Sequence, residues 1–243
     1  MNSSIKSAVV GSVLAAGLAF SGAASAGITL DTSALKADAV LQLANTAYSV
    51  ATATYINFGA LGNTTRLADG TEYDPILQQT FNVPRFNMPV TKATISIGWD
   101  LKVTANSGQS SRSALQLTRG YVNVTLGNFS IDFDKEIVYA DVFTDGKLTK
   151  TKATVYSFDV VTPQTISFKN LVLNQSVKIG NLKLTQEAQD LLGDGLYIDA
   201  VLRPQLANLD FGTIAVLVTS YKRSPKANAT PFTAADIPAT TTP

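Results

Sequence analysis

TKATISIGWDLKVTA (residues 91–105) and ALQLTRGYVNVTLGNFSIDF (residues 114–133) decide the fold class. In the first, Ile95, Ile97, Trp99, Leu101 and Val103 fall on one side, and Ser96, Gly98, Asp100, Lys102 and Thr104 on the other. A period of two is that of a strand with one buried face. The alternation continues through Leu115 and Leu117, then Val122, Val124 and Leu126, then Phe129, Ile131 and Phe133. Such a sheet must bury its apolar side against another layer.

Outward from this stretch, short strand-like runs follow one another between turn residues. Asp134–Phe143 ends at Thr144-Asp145-Gly146-Lys147, a strong hairpin signal. Ala153–Val161, Thr165–Leu173, Ser176–Leu184, Tyr197–Leu202 and Ile214–Tyr221 complete the series, with Pro163, Asn174-Gln175 and Gly180-Asn181 as breaks. Asn106–Ser113 (NSGQSSRS) reads as a polar turn, and Gly120 as a bulge. Thr185 ahead of QEAQDLL predicts a capped helix that Gly193 ends. The pattern predicts an all-β protein, an antiparallel β-sandwich or jelly roll with one or two short helices.

The expected layout is a signal peptide over 1–26, a single β-rich domain over 27–222, and a disordered Pro/Thr-rich tail over 223–243. Lys6, the apolar run Ala8–Phe20 and the small-residue site Ala24-Ser25-Ala26 carry the first assignment. That run is shorter than a bilayer span, and no later one is apolar enough. In the N-terminal extension 27–58, Leu35, Ala39, Leu43 and Ala47 recur every four residues and suggest a helix over 34–46, with a strand over 50–58; strand throughout is the alternative. Gly59–Pro89, punctuated by Gly62-Asn63, Asp69-Gly70 and three prolines, reads as a long irregular connection tacked down by Phe81, Phe86 and Met88. The tail KRSPKANATPFTAADIPATTTP lacks hydrophobic periodicity.

Composition narrows function. Without Lys6, basic residues match the 18 acidic ones, so a polyanion such as nucleic acid is not the expected partner. There is no cysteine and no histidine, which removes thiol and iron–sulfur chemistry, histidine-based triads and histidine metal sites. Carboxylates remain. Asp132, Asp134 and Glu136, two apart, would project from one strand face and are the calcium candidates, against a solvated sheet face. Asp141 with Asp145, and Asp190 with Asp194 and Asp199, sit near turns where Asp is common for backbone reasons. Two carboxylates alone suffice for a glycoside hydrolase, but no spacing marks such a pair. Trp99 reads as core, with a sugar-stacking platform as the alternative.

GNFSIDFDKEIVYADVFTDGKL (127–148), ATVYSFDV (153–160), LKLTQEAQDLLGDGL (182–196) and FGTIAV (211–216) resemble the β-rich HtaA-type modules of secreted bacterial proteins. The resemblance implies a secreted β module. Such modules bind haem through tyrosine and histidine, which makes Tyr121 and Tyr139 the tyrosine candidates here; histidine is missing.

The function these features predict is an exported, non-catalytic structural, adhesive or extracellular-matrix protein, at the cell surface, secreted or in the periplasm. It would need no cofactor, calcium apart, and would self-associate by strand exchange through residues 27–58. The alternatives are a monomeric envelope module for a glycan or for a hydrophobic ligand such as haem, and a carboxylate-based glycoside hydrolase.

Overall fold

The structure, a computed structural model, describes residues 27–98, 103–169 and 172–238. The leader 1–26, Trp99 and the last five residues lie outside the described residues.

Fourteen strands are described among them: β1 (Ile28–Asp31), β2 (Leu35–Gln42), β3 (Ile56–Gly62), β4 (Thr65–Arg66), β5 (Gly70–Asp74), β6 (Gln79–Val83), β7 (Arg85–Pro89), β8 (Lys92–Ile97), β9 (Val103–Arg119), β10 (Val122–Asp132), β11 (Ile137–Thr144), β12 (Lys147–Lys169), β13 (Val172–Leu184) and β14 (Thr213–Lys222). Three α-helices interrupt them: α1 (Asn45–Ala53), α2 (Gln186–Gly195) and α3 (Arg203–Leu206). The fold is all-β and antiparallel, as the alternation predicts. One sheet runs β1-β8-β9-β10-β11-β12-β13-β14-β2-β7-β4, with β3 beside β8 on the same edge of β9; β5 and β6 form a separate hairpin. The large sheet curls into an open half-barrel, so that its two wings face each other as the layers of a sandwich do. At one corner the wings touch: the Val90 N–H donates to Ala37 in β2, and the next N–H, of Thr91, donates to Gln109 in β9.

The concave face holds the core. Ala37, Ala39 and Leu41, Phe86 and Met88, Val124 and Leu126, Val138, Ala140 and Val142, and Val155 are all buried there. Burying a large aliphatic or aromatic side chain contributes about 1.5–3 kcal/mol, so this row dominates the favourable side of folding. Helix α2 closes one end with Ala188 and Leu192. Its cap is the expected one: Thr185 Oγ1 accepts from the Ala188 N–H at 3.2 Å. Gly193 does not end it. A Cβ there would sit 2.5 Å from Arg203 Nε, and one at Gly195 would sit 2.4 Å from Val124, so these glycines admit close neighbours.

Several local expectations change; Tyr197–Leu202 is not strand, and Asn174-Gln175 and Gly180-Asn181 lie inside β13 rather than breaking it. Residues 35–42 are strand and 45–53 helix, the reverse of the reading of that region. A recurrence of four is also a multiple of two, and Ala37, Ala39 and Leu41 line the core as a strand's alternate residues. Asn106–Ser113 is not a turn but the middle of β9, where Ser107–Gln109 pair with β10 on one edge and β8 on the other; Ile97 and Val103 are register partners. Gly120, at φ +59, belongs to a two-residue hairpin turn with Tyr121, since Val122 pairs with Arg119. Pro163 does not end a strand, because β12 passes it at a register shift where no ladder bond is required of it. The 59–89 connection is built of short strands, with 63–64, 67–69, 75–78 and Pro84 as the joints between them.

The two terminal segments are corrected as well. Within 27–58, β2 lies between β14 and β7, and β3 lies on β9. This part is the chain's own sheet rather than an extension, and among its strands the outer edges of β1 and β3 are left without a neighbour strand. Residues 223–238 are an ordered strap, not a disordered tail. Arg223 donates to the Leu35 and Ala37 carbonyls at 3.0 Å and to Asp38 at 2.8 Å. Phe232 is buried against Ala114 and Phe143. A lone aromatic anchor and main-chain bonds to side chains need no periodicity, which is why composition misjudged the segment.

Among the described residues no helix is long and apolar enough to cross a membrane.

Candidate ligand groove

The convex face of β9–β12 divides at Asn128. This residue sits in a bulge: β10 slips register against β9 between Gly127 and Phe129, and against β11 between Gly127 and Ser130. A bulge re-aims side chains and bends the strand. On one side of it lies the strap; on the other is an open groove of about 410 Å³. Ser107 and Gln109 of β9, Ser130 and Asp132 of β10, Tyr139 and Asp141 of β11, and Lys152 of β12 line that groove.

Two of these side chains are locked. Asp141 Oδ1 accepts from the Lys152 N–H at 2.8 Å, and its Oδ2 accepts from Asn128 Nδ2 at 2.8 Å. Asp132 accepts from the Lys135 N–H at 3.1 Å and pairs with its ammonium at 3.2 Å, which holds that ammonium above its ordinary pKa. The others are uncommitted. Ser107, Gln109, Ser130 and Tyr139 make no side-chain hydrogen bond to another described residue. The Lys152 ammonium rests 5.2 Å from the Tyr139 ring centroid. The groove therefore offers hydroxyls, one amide, a half-buried aromatic ring and an exposed ammonium on a rigid sheet.

A second cavity lies on the concave side. It is apolar, bounded by Met88, Phe129, Phe133, Tyr156 and Val216 among others, and it holds about 40 Å³. That is room for a few water molecules. Ligand sites are typically about 300–1,000 Å³, so size favours the convex groove roughly tenfold. The Tyr156 hydroxyl is pushed well above the ordinary phenol range by burial, so its ring serves the core, tilted against Phe211 at 5.7 Å.

The sequence candidates separate. Tyr139 lines the groove. Tyr121 is 76% exposed in the β9–β10 turn, roughly 30 Å away at a strand rise of ~3.3 Å per residue. Asp134 and Glu136 do not continue the strand face of Asp132: β10 ends at Asp132, and 133–136 form a turn with Glu136 at φ +55. Among the described residues no three His, Cys, Asp or Glu side chains come together to hold a metal ion. The haem expectation does not fit these residues either, since histidine is lacking, Tyr121 and Tyr139 are apart, and the apolar cavity is far too small. Gln109, Ser130 and Lys152 were missed by sequence reasoning. Their signal is strand alternation combined with pairing order, and the pairing order is not local.

No family model matches the chain, and no curated protein matches it. Among solved structures, the crystal structure of the C-terminal domain of HtaA from Corynebacterium glutamicum is similar over 76% of this chain and 98% of that chain, at 13% identity and a TM-score of 0.43. A domain-swapped dimer of a variant of the same domain is similar over 72% of this chain and 91% of that chain, at 14% identity and a TM-score of 0.40.

Proposed function

We propose that this chain is a non-catalytic, extracytoplasmic binding module that holds a carbohydrate chain in the groove across β9–β12. The observation that carries this reading is the set of uncommitted polar side chains around the half-buried Tyr139 ring. A sugar presents hydroxyls to donors and acceptors on its rim and C–H groups to an aromatic face, and the groove supplies both. Groups already fixed in a sheet lose little entropy on binding. The leader-like residues 1–26 support export. Asp132 and Asp141 are engaged in bonds to the protein, which favours holding a glycan over cleaving it.

The test is calorimetric titration of neutral and uronic-acid oligosaccharides into the wild-type chain and into Tyr139→Ala. Binding by the first that falls at least fivefold in the second supports the reading. Equal binding by both, or none across the panel, defeats it.

A further inference from the structure

The strap lies in a socket whose chemistry is that of peptide recognition. The Asn128 side chain reads one residue's main chain completely: its Oδ1 accepts from the Phe232 N–H at 2.7 Å, and its Nδ2 donates to the Phe232 carbonyl at 2.9 Å. The remaining amide capacity goes to the Arg112 N–H at 3.1 Å and to Asp141 at 2.8 Å, so all four hydrogen-bonding positions are filled. Asn63 donates to the Asn228 carbonyl at 2.6 Å, and Arg112 forms an ion pair with Asp236. Residues 223–238 pair with no strand. Main-chain bonds supply hold and one ring pocket supplies selectivity, which is the logic by which sheets capture extended peptides.

The ring pocket is cut for its occupant. Phe232 meets Phe143 edge-on at 5.7 Å, beside Leu61 and Ile237. A Cβ on Gly127 would stand 3.1 Å from the Phe232 ring. One on Gly62, at φ +63, would stand 3.1 Å from the same ring and 1.9 Å from the Arg112 carbonyl. Asn128 and Arg112, bonded to each other, both hold left-handed backbone at φ +54 and +59. For residues other than glycine this costs about 1–3 kcal/mol and persists where surrounding structure enforces it, often at binding sites. Both residues touch the strap, Asn128 at Phe232 and Arg112 at Asp236.

We propose that this socket takes the strap of a second copy of the chain in place of its own, linking copies by strap exchange. The segment beyond residue 227 is the part held by the socket, because Arg223, Lys226 and Ala227 bind residues 31–38 independently of it. The chain's own strap competes at a high effective concentration, of order millimolar for a short tether, so the intact chain is monomeric when dilute. The proposal does not depend on the convex groove binding a glycan.

Two full-length variants test it. Phe232→Ala keeps an open socket but carries a strap without its ring. Gly127→Val fills the socket but keeps an intact strap. Each alone is expected to be monomeric by light scattering, and an equimolar mixture is expected to form a one-to-one pair of twice the mass. A mixture that stays monomeric at 100 µM, with both variants folded by circular dichroism, overturns the proposal. Should Gly127→Val fail to fold, a peptide of residues 227–238 titrated into full-length Phe232→Ala decides. Binding at least tenfold tighter than that of the same peptide bearing Phe232→Ala supports the socket as a receptor. Equal binding, or none, rejects it.

Discussion

Two halves of one surface behave differently, although the same strands build both. On one side of Asn128, the convex face of β9–β11 is dry: Ala114 and Phe143 are buried beneath Phe232. On the other side the same strands present Gln109, Ser130 and Tyr139 to an open groove. Alternation alone assigns both halves to the outer face. What separates them is a distant segment, the strap, laid over one half and stopping at the bulge. A residue's position on a strand gives its face; whether that face is solvent, core or site depends on what the rest of the chain places over it.

The largest expected effect falls on the dry half. Phe232→Ala removes a fully buried ring and should cost about 3–5 kcal/mol of stability, read as a lower urea midpoint. Glycan affinity should stay within twofold, since Phe232 does not line the groove. A stability loss below ~1 kcal/mol would mean that the strap is not part of the folded core.

Asn128 joins the halves, and Asn128→Ala should therefore affect both. It removes four hydrogen bonds and places alanine in left-handed backbone, at a cost of about 2–3 kcal/mol. It also frees Asp141 within the groove, so ligand affinity should change together with the midpoint. An effect confined to stability would separate the two halves after all.

A smaller effect is expected in the open half. Tyr139→Ala should weaken glycan binding by about 1 kcal/mol, roughly fivefold, with stability changing less than it does for Phe232→Ala. Calorimetry and a urea titration on the same sample distinguish these.

The smallest effect is in pH. The Thr233 main-chain and side-chain donors, with Arg112 alongside, hold the Asp236 carboxyl below its ordinary 3.8. The Thr154 hydroxyl and N–H, then Lys150, do the same for Glu187 below 4.5. A carboxyl depressed in the folded state stabilises above its unfolded pKa, and that contribution is lost as pH falls through the folded value. Stability should accordingly decline from about pH 5 toward pH 3. Asp236→Asn should flatten part of the decline in the strapped half, seen as a protection factor at the Phe232 amide that falls less as pH is lowered.

Much of the fold is legible in the sequence because burial enforces periodicity. Val124–Leu126, Phe129–Ile131 and the hairpin at Asp145-Gly146, whose residues both have positive φ, announce themselves locally. So does α2, where Thr185 performs the capping that its position suggests. The misread places share a cause. Residues 35–42 obey two periods at once, and only their partners β14 and β7 choose between them. Asn106–Ser113 is polar yet lies within β9, with Ser107–Gln109 paired on both edges, because backbone pairing does not consult side-chain polarity. The strap rests on Phe232 and on main-chain bonds, which composition cannot register. Of the site, Tyr139 is named through the HtaA resemblance, not through strand alternation. Its companions on β9, β10 and β12 depend on pairing order, and Asp134 and Glu136 left the group when the strand ended at Asp132.

The most direct test of the central claim is nuclear magnetic resonance titration of the labelled chain with the oligosaccharide that binds best by calorimetry. The account predicts saturable amide shifts clustered at 107–109, 128–132, 139–141 and 152, with the Gly120-Tyr121 turn unmoved. Shifts centred instead on the concave cavity around Phe129 and Tyr156, or on the Tyr121 end, would contradict it.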